Sequence, residues 1–121
     1  MAALLKTIWM ITFRFKMIRN KKHLKFIRQL PCVICNNKFV AAHIRKGTDG
    51  GAGLKPSDCY TVPLRPSCHH TQHQQGELYF WYGYGGYEAA IALAKNLYNV
   101  TGDIEQGVFE IMEFRNVSNN K

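Results

Sequence analysis

The sequence predicts a small α+β domain in which short extended pieces alternate with helices. Three observations carry that class. Segments around residues 32–43 and 59–64 are short, favour extended backbone and are bounded by turn residues. Residues 18–30, 67–79 and 87–100 are spaced as helices are. A length of 121 residues fits one domain with a modest core, a size that often needs a metal or disulfide as well.

The elements follow in chain order. The opening stretch MAALLKTIWMITFRFKMIRNKK is apolar but interrupted by Lys6, Arg14 and Lys16, too broken for a spanning helix. It lacks the charge-first layout and small-residue cleavage site of a signal peptide. It reads as an amphipathic first helix, or as an extension ahead of a later start at Met10 or Met17. The expectation is a cytoplasmic protein without stable membrane insertion. Residues 1–21 form a basic extension, 22–102 the main domain and 103–121 a tail that frays toward its VSNNK end.

Residues 18–30 place Ile18, Leu24, Phe26, Ile27 and Leu30 among basic residues, and Pro31 stops that helix. In PCVICNNKFV, Asn36 and Asn37 offer a turn between two short extended pieces, a knuckle-like hairpin that AAHIR completes. GTDGGAG is a glycine-rich loop, and CYTVPL reads as a strand through Tyr60, Thr61 and Val62. A helix spans residues 67–79 with Ser67 as its N-cap. WYGYGGY breaks the chain. YEAAIALAKNLYNV is helical, with Ile91, Leu93, Leu97 and Tyr98 on its apolar face and Gly102 just beyond.

Charge narrows the partners. Sixteen Lys+Arg against eight Asp+Glu give +8. Residues 1–48 hold eleven of those cations and no acid, Asp49 being the first carboxylate. Such a basic half points to a polyanion, either nucleic acid or an anionic membrane surface. Seven cations between residues 14 and 28, Lys21, Lys22 and Lys25 among them, suit a nucleic-acid backbone better than a plain solvated face.

The ligand-type residues fall into two groups. Cys32, Cys35 and Cys68 are sulfur-rich; His43, His69 and His73 are imidazoles. Cys32-x-x-Cys35 among five histidines fits a reduced metal protein better than a pair of disulfides. His69 and His73, four apart, share a helix face and can converge on one ion. Thiolates favour zinc, while imidazoles with open positions accept several divalent metals. His70 reads as a bystander.

The run PCVIC, then AHIR, then KPSDCYTVPL and CHHTQHQQGE, resembles the HNH, or ββα-metal (His-Me finger), endonuclease superfamily. Within it, the resemblance is greatest to small phage and prophage members, including Ref-like nucleases associated with recombination and short prophage endodeoxyribonucleases. It covers about half the chain, residues 22–80. The resemblance implies a ββα-metal core with a zinc knuckle, flanked by an N-terminal basic helix and a C-terminal helix, and implies hydrolysis of DNA phosphodiesters.

Carried over by residue, it implies His43 as general base and Asp58, near the motif's middle position, as the residue that orients the base or holds the loop. His69 and His73 would hold a catalytic Mg²⁺ or other divalent ion, and Cys32, Cys35 and Cys68 a structural Zn²⁺. Read from their own placement after His43, Arg45 and Lys46 either grip phosphates, as would Lys55, or lie on a solvated loop, and Gly50, Gly51 and Gly53 either let backbone approach the strand or form a flexible turn. Two departures stand out. Arg65 replaces a cysteine common in the family, leaving Cys59 or His70 as substitute zinc ligands. Ala42 replaces a further metal ligand beside the base. Either departure points to a weakened or inactive enzyme.

The rival readings are a zinc-dependent nucleic-acid-binding module without catalysis and, third, a zinc domain that binds a protein such as recombination machinery. The aromatic run Tyr79, Phe80, Trp81, Tyr82, Tyr84 offers rings for stacking on bases, but packing between the last two helices is the preferred expectation. Glu77 reads as a surface or capping residue.

Overall fold

The computed structural model describes residues 17–35, 40–50 and 54–119. The expected first helix within residues 1–16, the Asn36-Asn37 turn and Gly51 and Gly53 lie outside the described residues. Within them the chain forms five α-helices and one two-stranded antiparallel sheet, a small α+β arrangement.

Helix α1 is Lys21–Ile27, shorter than the 18–30 expected. Asn20 caps it by accepting the His23 N–H at 3.0 Å. Residues 18–20 run alongside Ser57 and Asp58 instead. The Asp58 N–H donates to the Ile18 carbonyl at 2.8 Å, and the Ile18 N–H donates to Ser57 Oγ at 2.9 Å. Beyond Ile27 the chain tightens into three-residue turns, Gln29 N–H to Phe26 and Leu30 N–H to Ile27, before Pro31. α1 buries His23, Phe26 and Ile27 and leaves Lys21, Lys22 and Lys25 in solvent.

The first half of the expected knuckle hairpin is not a strand. Residues 33–35 are a turn, with the Ile34 N–H directed at Cys32 Sγ at 3.4 Å. Strand β1, Val40–His43, pairs instead with β2, Thr61–Leu64, in the register Val40↔Leu64 to His43↔Thr61. The strand expected from Cys59 starts two residues late. Asp58–Tyr60 is a 3-10 turn, closed by the Tyr60 N–H on the Ser57 carbonyl and by Thr61 Oγ1 on the Asp58 carbonyl. Pro63 is tolerated in β2 because its missing N–H faces no ladder partner on a two-stranded sheet.

Helix α2, Pro66–Gln75, begins with proline at its first position. Ser67 is therefore inside the first turn, and Arg65 occupies the cap. The helix expected to reach residue 79 stops at Gly76, whose φ of 85° suits glycine alone. A separate helix α3, Glu77–Tyr82, follows. Gly85 and Gly86, also at positive φ, make the expected break, later than Trp81 and Tyr82. Helix α4, Tyr87–Asn99, buries Ala90, Leu93, Ala94 and Leu97. Its inward face is centred on the alanines, and Ile91 and Tyr98 sit at its margins, only half-buried.

The largest difference is the tail. Residues read as a fraying end form helix α5, Ile104–Asn119. Asp103 accepts the Gln106 N–H at 3.1 Å as its cap. Ile111 is fully buried, and Gly107 lies so close to α1 that a Cβ there would sit 2.9 Å from Leu30 Cδ2. One core joins α1, the sheet and the last three helices through Phe26, Ile27, Leu64, Trp81, Leu97 and Ile111.

Candidate active site

Strand alternation settles what each residue of β1 faces. Ala42 is 1 % exposed and points into the core, so its neighbours Ala41 and His43 face the other way. They line a small cavity of about 160 Å³ together with Arg45, Lys55, His69 and His73. The position where the resemblance expects a further ligand is thus a core position in this chain.

His69 and His73 lie one turn apart on α2 and aim their Nε2 atoms at each other, 3.0 Å apart. The rings are 4.6 Å apart. Burial, and the nearby His73 and His43, hold His69 below the ordinary histidine range, keeping it neutral, the form that binds metal. Two convergent imidazole nitrogens are donors that could hold one divalent ion.

His43 is held from the far side. Its Nε2 meets Asp58 Oδ1 at 2.9 Å. A carboxylate only accepts, so Nε2 carries the proton and Nδ1 keeps the lone pair. Burial pulls His43 below its usual value; the Asp58 hydrogen bond opposes this, while Lys55 and Arg19 add to it. Asp58 is 2 % exposed. Burial pushes its carboxyl up, but the Asn20 N–H at 2.7 Å, His43 and the Arg19 guanidinium at 3.6 Å together hold it below the usual carboxylate range.

The surrounding loops are pinned by Arg19, Asp49 and Glu77, to none of which sequence reasoning gave that role. Arg19 donates to the Lys55 carbonyl at 2.8 Å and also to the Pro56 carbonyl. Asp49 accepts the Ser57 N–H at 2.8 Å and the Ser57 hydroxyl. Glu77, read as a capping residue, accepts the Arg45 N–H at 2.8 Å and the Lys46 N–H at 3.3 Å, and so ties the loop after His43 to α3.

The phosphate-gripping set divides. Arg45 and Lys55 reach the histidine cavity, and Lys46 faces the adjoining groove. Lys21, Lys22 and Lys25 are exposed on α1 and line neither. The aromatic run also divides: Phe80 and Trp81 are core, whereas Tyr79 and Tyr82 are exposed. Core packing was expected of the whole run, but a helix turns these two rings outward.

The sulfur atoms of Cys32, Cys35 and Cys68 lie within 4.8 Å of one another. Cys68 Sγ lies 3.8 Å from Cys35 Sγ. Burial, followed by the neighbouring Cys32 and Cys35, pushes the Cys68 thiol up to about 12. A bound cation inverts that preference, because it stabilises the thiolates that otherwise repel. Three soft donors can hold a metal ion such as zinc. Among the described residues the cluster has three members. Cys59, proposed as a fourth, is elsewhere. It sits in the 3-10 turn against α4, where burial and Asp49 raise its thiol. His70 and Arg65 are exposed and outside the cluster.

Among the described residues no helix is long and apolar enough to cross a membrane. No curated protein and no solved structure matches the chain. One family model does, over residues 7–95, a span that takes in α1, both strands, both ligand clusters and most of α4. The chain therefore belongs to the family described as protein of unknown function, DUF968.

Proposed function

We propose that this protein is a metal-dependent endonuclease of the HNH type that hydrolyses DNA phosphodiesters. The observation that carries the reading is the meeting of His43 from β1 with His69 and His73 from α2 in one cavity walled by Arg45 and Lys55. A divalent ion held by His69 and His73 would neutralise the phosphate and the charge growing on the leaving oxygen. His43, kept neutral and in the tautomer with Nδ1 free, takes a proton from the attacking water. The water oxygen bonds to phosphorus as the bond to the leaving oxygen breaks, and solvent returns a proton to that oxygen. Arg45 and Lys55 orient the flanking phosphates. The sulfur cluster holds zinc for structure, which requires the reduced thiols of a cytoplasmic setting.

Plasmid nicking with Mg²⁺ or Mn²⁺ tests the reading. His43→Ala is expected to lose about 10²–10⁴ in rate, the usual contribution of a positioned base. Equal rates for variant and wild type would remove His43 from the chemistry. Two protein imidazoles are a sparse ligand set, and Ala42 adds none, which favours one second reading: a zinc-dependent DNA-binding module that does not cut. That reading predicts salt-sensitive DNA binding with no cleavage under any divalent metal.

A further inference from the structure

We infer that the groove beside the histidine cavity receives unpaired nucleotides, with bases stacked on Tyr79 and Tyr82 and phosphates held by Arg45 and Lys46. The inference deepens the nuclease reading and rests on it. The groove encloses about 630 Å³ and is lined by Arg45, Lys46, Glu77, Leu78 and Tyr79 among others. Arg45 also lines the histidine cavity, so the two openings adjoin. Leu78 in turn borders a second hollow of about 440 Å³ that reaches Tyr82 and Tyr87. A continuous track therefore runs from the three histidines, past two cations, onto aromatic rings.

Burial along α3 explains why those rings are available. Phe80 and Trp81 turn inward, while Leu78, Tyr79 and Tyr82 are 60 %, 72 % and 84 % exposed. Tyr79 and Tyr82, three apart, share one helix face. Single exposed apolar residues are ordinary, but three contiguous ones abutting cations form a patch of another kind. Glu77 brings the groove's one carboxylate, and its oxygens are engaged by the Arg45 and Lys46 N–H groups, which anchor the backbone that carries both cations. Glu88 borders the second hollow, leaving the first the more favourable for phosphate.

The substrate class follows from what each group can reach. A duplex hides the faces of its bases in the stack and offers these side chains phosphates alone. An aromatic ring gains its contact only from a base that is unpaired, at a single strand, flap or gap.

Fluorescence anisotropy with a labelled oligothymidylate and a duplex of equal length, without added Mg²⁺ or Mn²⁺, tests this. Tyr79→Ala/Tyr82→Ala is expected to weaken single-strand binding about thirtyfold or more, two stacked bases at the low end of the range for base–aromatic stacking, and to leave duplex binding nearly unchanged. Tyr79→Phe/Tyr82→Phe, which keeps the rings, should bind as wild type. Both positions are solvent-exposed, so folding is not at stake. Unchanged single-strand binding by the double alanine, while Arg45→Ala/Lys46→Ala weakens both probes, would overturn the stacking site and leave the nuclease reading standing. Wild type binding neither probe would overturn both.

Discussion

Replacing Asp58 with asparagine separates the role of its charge from that of its shape. Both carboxylate oxygens accept: Oδ1 from His43 Nε2 at 2.9 Å and Oδ2 from the Asn20 N–H at 2.7 Å. An amide has one acceptor and one donor end, so it cannot serve both. If its oxygen faces Asn20, its NH₂ faces His43, whose Nε2 must then accept. The proton moves to Nδ1 and the free lone pair is lost. If its oxygen faces His43, two N–H groups oppose each other at the start of α1, and a buried unsatisfied donor costs about 1–3 kcal/mol. The first outcome predicts a fall in nicking rate of about 10²–10⁴, the scale on which an imidazole base loses function in the wrong tautomer. The second predicts a lower melting temperature with activity retained. Initial nicking rates across pH, with thermal melts beside them, distinguish the two. The wild-type rate should rise with pH through an apparent pKa below 6.5, because His43 is lowered in the fold. Losing Asp58 removes the hydrogen bond and charge that favour the protonated ring, so the variant's residual rate should rise at still lower pH. Full activity, unchanged stability and an unshifted profile in Asp58→Asn would refute the reasoning.

Stability should fall in mild acid. His23 is fully buried and lowered to about 4, chiefly by burial, so the unfolded chain binds more protons between pH 6.5 and 4. Its contribution is complete above pH 6.5 and lost toward pH 4, up to about 3 kcal/mol; melts at pH 7 and pH 4.5 that coincide would contradict this. Gly107→Ala gains up to about 1 kcal/mol of helix propensity but forces a Cβ 2.9 Å from Leu30 and 3.0 Å from Phe26, both buried. Overpacking costs about 1–3 kcal/mol, so the net expectation is a loss near 1 kcal/mol, and a raised melting temperature would show that the helices can part there. Cys68→Ser should strip bound zinc, measured by mass spectrometry under native conditions, whereas Cys59→Ser should retain it; the reverse result would reassign the cluster.

Local periodicity made part of the site legible. His69 and His73 sit in one element, so a helical repeat alone puts them together. The meeting of His43 with Asp58 depends on a sheet register and a 3-10 turn, which no local signal carried; the family pattern suggested it. Cys59 offered itself as a substitute ligand because Arg65 stands where the resemblance expects a cysteine and Cys59 lies nearby in sequence. The Ser57 and Asp58 contacts fold the start of CYTVPL into a turn that packs against α4, away from the three clustered sulfurs. α5 was illegible for a related reason. Gly107 reads as a helix breaker, yet it is the small residue that lets α5 approach Leu30 and Phe26. The apolar residues Phe109, Met112 and Val117 remain exposed, blurring the inward face.

α2 explains how a sulfur cluster that could hold a metal ion and a histidine pair come to sit in the same small domain. Its sequence, PSCHHTQHQQ, buries Gln72 alone, so apolar packing holds it weakly. Successive residues on a helix point about 100° apart. Cys68 therefore turns toward Cys32 and Cys35 while His69, the next residue, turns toward His43. Arg115 on α5 grips the other side of the knuckle, donating to the Val33 carbonyl at 2.9 Å and to the Cys32 carbonyl. An ion bridging the three thiolates would thus fix the azimuth of α2, and with it the distance from His69 to His43. Losing the sulfur-bound ion should therefore impair the histidine site before it unfolds the core, because Trp81, Leu93 and Leu97 belong to a cluster to which α2 adds the partly buried Cys68 alone among the described hydrophobic residues.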